Sequence, residues 1–319
     1  MRLERVDLYD LRVFDFDYDL TMMILFLSPD EQVYSRYGGR LPEGPDSRHS
    51  IAGLRYTMQS VLREHRSRSP RFAPFRHERP TYIRRVPPGS RPPACLHCHQ
   101  IKQILDRRRI RQGLWQPTDA FRYPPPEQLG LVLELDRGNV VEAVKPGSPA
   151  EQAGLGPGDR LEELNGVPIH SFGDAQYALD LAPWNGSIPV VWCRDGSRLA
   201  STIALEPGWK RADIAWRASM LEFLALPRLH GPELSAAEKR ALGLEPARLA
   251  FRQAEPVAEQ ARRAGIRAGD IVVGINDLEL NMTLHEFRLF VQSYFVKGET
   301  VVVNVIRDGR HLRLPMVLE

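Results

Sequence analysis

Two cysteines and a histidine stand close enough together to do chemistry, in the run Cys95-Leu96-His97-Cys98-His99. C-x-x-C-H is the attachment pattern of a covalent c-type haem. Two thiols add to the porphyrin vinyl groups, so they must sit a short fixed distance apart, and the next residue offers an imidazole to the iron. On that reading Cys95 and Cys98 carry the thioethers, His99 is the proximal iron ligand, and covalent haem c is the candidate cofactor. No distal ligand stands out among Met220, Met282, His170 and His230. Three other readings stay open. A dithiol redox site uses C-x-x-C at a helix N-terminus, where the dipole lowers the thiol pKa; it wants a strand upstream, and here Pro87, Pro88, Pro92 and Pro93 precede the motif. Zinc asks for a second ligand pair, and the third cysteine, Cys193, stands alone in an expected strand. The last reading is a cysteine pair with no cofactor.

The elements that would position this motif are legible around it. Residues 100–111 space Ile101, Ile104, Leu105 and Ile110 as a helix that the motif opens. Residues 67–93 are rich in proline and arginine with little apolar periodicity, which predicts an extended linker. Such a tether could touch nucleic acid or anionic lipid, but no aromatic platform, helix-turn-helix pattern or finger spacing accompanies it, so a solvated spacer is expected. Upstream, residues 21–27 form an unbroken apolar run that predicts a strand buried on both faces. Residues 32–37 alternate as a second strand ended by Gly38-Gly39, and residues 51–65 predict a helix.

At 319 residues, with 43% hydrophobic residues and a net charge of +3, the chain has room for two or three globular domains. Three cysteines make no disulfide framework. The first seven residues are too polar for a secretory leader, and the apolar run at 20–27 is far shorter than a membrane helix requires. As written, the chain is expected in the cytoplasm, in tension with haem attachment outside it.

The strand, hairpin, strand, Gly-Gly, helix order of residues 1–66 resembles the C-terminal half of a thioredoxin-like domain. Phe14-Asp15-Phe16-Asp17-Tyr18-Asp19-Leu20-Thr21, Tyr34-Ser35-Arg36-Tyr37-Gly38-Gly39-Arg40 and Ala94-Cys95-Leu96-His97-Cys98-His99-Gln100 together resemble a bacterial family joining a thioredoxin-like domain to PDZ domains, some members being selenoproteins. That resemblance implies an export signal, an upstream redox site and a periplasmic or envelope location. It also implies that Met1 is not the true start, an upstream UGA having been read as a stop.

Beyond Tyr123 a pattern recurs at about 110 residues. In the first copy Leu129-Gly130-Leu131-Val132 opens a strand. Ser148 then stands as N-cap, Pro149 at the first helical position, and Glu151 as capping-box partner. Gly154, Gly158-Asp159, Asn165-Gly166 and Asp195-Gly196 punctuate the remainder of the copy, with a helix predicted over 174–181. In the second copy Leu242-Gly243-Leu244 is matched to the opening strand. Residues 256–261, Gly265, Gly269-Asp270, a helix over 284–295 and Asp308-Gly309 come after it. The copies resemble two PDZ domains of the bacterial, HtrA-like type, the second departing at Glu255-Pro256 and Asn276-Asp277.

The resemblance implies a groove in each copy that takes an extended or C-terminal peptide as an added strand. Leu129, Gly130, Leu131 and Val132 would line the first groove with Asp174 and Ala175 of its helix. Leu242, Gly243 and Leu244 would line the second with Leu284 and His285. Residues 208–238 between the copies carry Trp209, Trp216, Met220 and Phe223 and are expected to pack across both. No G-N-S-G-G, G-x-S-x-G or phosphate-loop string is present, so no catalytic residue is assigned.

The expected fold class is multidomain α+β. It comprises a partial thioredoxin-like segment (1–66), the linker (67–93), the C-x-x-C-H segment (94–126), PDZ domain 1 (127–207), an aromatic connector (208–238) and PDZ domain 2 (239–319). The expected function is peptide binding tied to envelope redox or protein quality control. The alternatives are a haem electron carrier docked through its PDZ domains, or a thiol-disulfide oxidoreductase.

Overall fold

The computed structural model describes residues 10–77 and 98–319. They divide into two compact units, one running to Trp115 and resuming at Phe121–Ala212, the other comprising Gln116–Ala120 and Asp213–Glu319.

The first unit begins with an antiparallel hairpin, β1 (Ile24–Leu27) and β2 (Val33–Tyr37), succeeded by helix α1 (Ile51–His65). Ser50 starts α1 by accepting from the Gly53 N–H at 2.8 Å. The order matches the sequence expectation, but the burial is the reverse of it. The apolar β1 is only half buried, because it is the free edge of a two-stranded sheet. The mixed β2 is buried at all five positions, because α1 packs on it from one side and a later helix from the other. Helix α2 (Cys98–Arg111) opens at the cysteine motif, two residues ahead of its expected start. Its Ile101 is buried with Leu11, Phe16, Tyr18 and Leu20.

The rest of the unit is a small sheet module. A ribbon of β3 (Leu131–Leu133) and β4 (Val141–Val144) leads to α3 (Pro149–Gln152), β5 (Arg160–Leu164), β6 (Val167–Pro168), α4 (Phe172–Leu181), β7 (Gly186–Arg194) and β8 (Ser197–Leu205). The main sheet has the order β6-β5-β7-β8, and a Val140–Arg160 bridge ties the ribbon to it. Inward residues of the strands and α4 make one core, among them Leu129, Leu131, Leu161, Leu164, Tyr177, Leu179, Val190 and Ile203. Ser148 caps α3 as expected, but Glu151 reaches the Gly147 N–H at 2.6 Å rather than that of Ser148. Asn165-Gly166 and Asp195-Gly196 each take two consecutive positive φ angles, the backbone of a two-residue type I′ hairpin turn.

The second unit contains α5 (Ala236–Ala241), β9 (Phe251–Arg252), α6 (Glu259–Arg263), β10 (Ile271–Ile275), α7 (Leu284–Tyr294), β11 (Thr300–Arg307) and β12 (Arg310–Val317), with sheet order β9-β10-β11-β12. It repeats several of the first module's defining hydrogen bonds. Val141 N–H donates to Asp159 O and Gly158 N–H to Val141 O; Gln253 and Asp270, Gly269 and Gln253 do the same. The Asp159 carboxylate takes a two-pronged Arg194 whose guanidinium also reaches Gly154 O, and Asp270 takes Arg307, which reaches Gly265 O. The connector residues belong to the cores too. Trp209 is buried in the first module, and Ala225 and Leu229 in the second.

Candidate functional site

In a module of this topology an extended peptide can be added where the first strand of the ribbon leaves its outer edge facing the long helix. In the first module those elements are β3 and α4, and both are already engaged, α4 along its length and β3 at its end. Nine of the ten residues of α4 are buried. A helix with one side on the core should bury a stripe only, so its outer side is covered as well.

The cover is the chain's own N-terminal segment. The Asp174 carboxylate, completely buried, accepts from Ser35 Oγ at 2.7 Å and Arg36 N–H at 2.8 Å, and Ser171 Oγ donates to Arg36 O at 2.5 Å. Burial pushes the Asp174 carboxyl above the usual range. A Cβ on Gly173 would lie 2.2 Å from Arg36 O, and one on Gly39 would lie 2.4 Å from the Phe172 ring, so these two glycines are what lets the segments meet. Arg48 stacks on Phe172 and donates to the carbonyls of Leu133 at 2.7 Å and Glu134 at 3.2 Å, at the end of the β3 edge.

A buried ionic cluster fastens the far end of α4. Arg122 reaches both Asp15 and Asp180, Arg76 bridges the same two carboxylates, and Tyr123 donates its hydroxyl to Asp15 and its N–H to Asp180. Burial alone would raise both carboxyls; the Arg122 and Arg76 guanidiniums outweigh it and hold both below the ordinary range, Asp15 far below.

The second module differs. The segment paired with β9 on its outer side is residues 230–234: Arg252 N–H donates to Pro232 O, Leu234 N–H to Ala250 O, and Ala254 N–H to His230 O. This segment stands where β3 stands in the first module. The loop before it is therefore Pro227-Arg228-Leu229, and Arg228, with φ of 48°, holds the left-handed position that Gly130 holds at 81°. Leu242-Gly243-Leu244, the expected equivalent, lies elsewhere. Gly243 comes just after α5 with φ of 72°, and Leu242 and Leu244 pack on Leu234, Ala250 and Ile271. The correction has a simple cause. The first and second strands are joined by seven residues in the first module (134–140), whereas here the connection carries α5 and an L-G-L string of its own.

The groove between residues 226–230 and α7 is open. A cavity of about 420 Å³ is lined by residues 226–230, residues 256–258, Arg288 and Gln292. Only Leu284, Phe287 and Val291 of α7 are buried, the stripe expected of a helix with one side on a core. The buried Gln260 side chain donates to Leu226 O and Pro227 O, fixing the loop. Because a trans peptide sets N–H opposite C=O, the Arg228 N–H is turned away from Gln260. Alternation along 230–234 turns Leu229 and Gly231 away from β9, and their N–H groups meet no acceptor among the described residues. Arg288 donates to Leu229 O from Nη2 at 3.1 Å and from Nε at 3.3 Å.

The expected site residues are distributed accordingly. Leu129, Gly130 and Leu131 are buried and Val132 is half-buried, the last two in β3; Asp174 is buried against β2, and Ala175 in the core of the module. Leu284 is buried at the start of α7, its N–H bonded to Glu233, and His285 is exposed beside it. Sequence reasoning misses Arg228, Leu229, His230, Arg288 and Gln292. Arg288 and Gln292, four apart on the predicted helix, are the pair it could have placed as neighbours on one face. Cys95 and the side chains of Cys98 and His99 lie outside the described residues. Among the described residues no cluster of histidine, cysteine and carboxylate side chains could hold a metal ion.

The family model for the PDZ domain matches residues 140–194. The chain carries a PDZ domain. Its curated relatives include the periplasmic pH-dependent serine endoprotease DegQ of Escherichia coli, 24% identical over 216 residues (67% of this chain and 44% of that protein). Another is a probable periplasmic serine protease, do/HhoA-like, of Haemophilus influenzae, 30% identical over 215 residues (67% of this chain and 42% of that protein). The chain spans less than half the length of these relatives. A solved serine endoprotease from Yersinia pestis is 28% identical over 24% of this chain and 27% of its own, with a TM-score of 0.21. The family model and the curated relatives support the PDZ part of the resemblance and lend nothing to its thioredoxin-like part. Among the described residues no helix is long and apolar enough to cross a membrane.

Proposed function

We propose that this chain is a peptide-binding protein of the HtrA-type PDZ group, working in the periplasm, and that its functional groove is the one in the second module. The observation that carries the reading is the cavity between residues 226–230 and α7. Unpaired backbone N–H groups on a strand edge, an apolar floor from Leu229 and Val257, and a helix wall are what strand addition needs. The PDZ domain matched by its family model contributes a scaffold, its α4 and the end of its β3 being engaged by residues 35–48.

The test is fluorescence anisotropy of the full chain with a labelled decapeptide ending in a free apolar C-terminus. Saturable binding is expected, weakened at least about tenfold by Ala258→Phe, which fills the cavity. Binding that ignores this substitution, or no binding, would overturn the assignment.

A further inference from the structure

The open groove is unusual in its charge. Arg228, His230 and Arg288 line it, and among the described residues no acidic side chain does. None of the three has a carboxylate partner among those residues; Glu233 and Glu286, which stand close to them in sequence, and Glu255, beside the lining residue Pro256, are committed to the backbone N–H groups of Leu284, Thr283 and Val257. Arg228 is exposed at the mouth, and Arg288 is half-buried on the wall.

Arg288 also occupies what a peptide must use. Its guanidinium is bonded to Leu229 O, the outward carbonyl of the strand edge to which an added strand would donate. A peptide entering the groove has to displace it. A neutral peptide leaves the displaced guanidinium without its partner in a half-buried place, where an unmade hydrogen bond is costly. A peptide carrying carboxylates near its end offers an ion pair instead, with charge on both partners rather than on the arginine alone, and so replaces the bond to a neutral carbonyl with a stronger one.

From this displacement and the one-signed lining we infer that the second groove selects acidic C-terminal peptides, with Arg288 as the selecting residue and Arg228 drawing the carboxylates to the mouth. The inference rests on the peptide-binding reading above and names its ligand class.

Three labelled decapeptides separate the two claims, all ending in a valine with a free carboxylate, the two preceding residues being Glu-Glu, Gln-Gln or Lys-Lys. With the full chain at low salt, Glu-Glu should bind about tenfold more tightly than Gln-Gln, and Lys-Lys more weakly still. The preference should shrink as salt is raised. Arg288→Gln should reduce the Glu-Glu advantage to about twofold or less while leaving Gln-Gln binding intact or improved, since the latch is gone. Arg288→Lys, which keeps charge, should retain most of the preference and guards against a folding defect. Equal binding of all three peptides would overturn the selectivity and leave the groove reading in place; binding of none would remove both.

Discussion

The two modules share a three-strand order (β5-β7-β8 and β10-β11-β12), hairpin turns and the Arg–Asp clasp, yet one long helix is buried on nearly every side and the other on a single stripe. Nothing in the repeated part of the fold explains that. The difference comes from what lies against it: β2 and Arg48 in the first module, an open cavity in the second. The same backbone frame serves as a docking surface for the chain's own segment in one copy and is left free in the other. A PDZ-type sequence match therefore identifies the frame, while vacancy of its groove depends on residues far outside the match.

That contrast can be broken most severely at the ionic cluster. Asp180→Ala removes the carboxylate shared by Arg76, Arg122 and the Tyr123 N–H, leaving two part-buried guanidiniums to share Asp15 alone and the buried Tyr123 N–H without its acceptor. A loss of about 3–5 kcal/mol is expected in chemical denaturation of the first unit, with the second unchanged. Gly173→Ala should cost about 1–3 kcal/mol by driving a methyl group into Arg36 O, and should expose residues 33–37 to hydrogen exchange and proteolysis. Acid acts on the same contact. Asp15 and Asp180 have folded pKa values below their unfolded ones, so their contribution is complete above about pH 4 and is lost as pH falls through the folded values. Asp174, raised by burial, works in the opposite direction and softens the loss. Hydrogen exchange between pH 5 and 2 should show the first unit loosening before the second. The smallest change is Arg48→Met, worth about 1 kcal/mol. It frees the Leu133 and Glu134 carbonyls but leaves α4 covered, so it should create no peptide binding in the first module; binding there would mean that Arg48 alone closes the edge.

Much of the frame is legible in the sequence. Turn pairs such as Asn165-Gly166 and Asp308-Gly309 announce hairpins because few other residues tolerate two positive φ angles, and the Ser148-Pro149 start announces α3. The helix after the cysteine motif is legible from the spacing of Ile101, Ile104 and Leu105. What escapes is long-range. Leu242-Gly243-Leu244 copies a local string, but the hydrogen bonds that define the first strand belong to 230–234, where Pro232 and a left-handed Arg228 give no strand or glycine signal. The burial of Ser35 and Arg36 is hidden for a related reason. Polar residues in β2 look solvent-facing until Asp174, 138 and 139 positions away for its two bonds, supplies their partner.

Those separations bear on how the chain acquires its structure. The first unit is stitched by contacts spanning about 100 to 140 residues, so its loop-closure entropy is large and its formation slow relative to locally wired folds. During synthesis β2 emerges long before α4 exists to receive it. Ser35 and Arg36 interrupt the apolar surface of Val33, Tyr34 and Tyr37 in β2, and a charge inside the strand guards it against aggregation while its partner is being made.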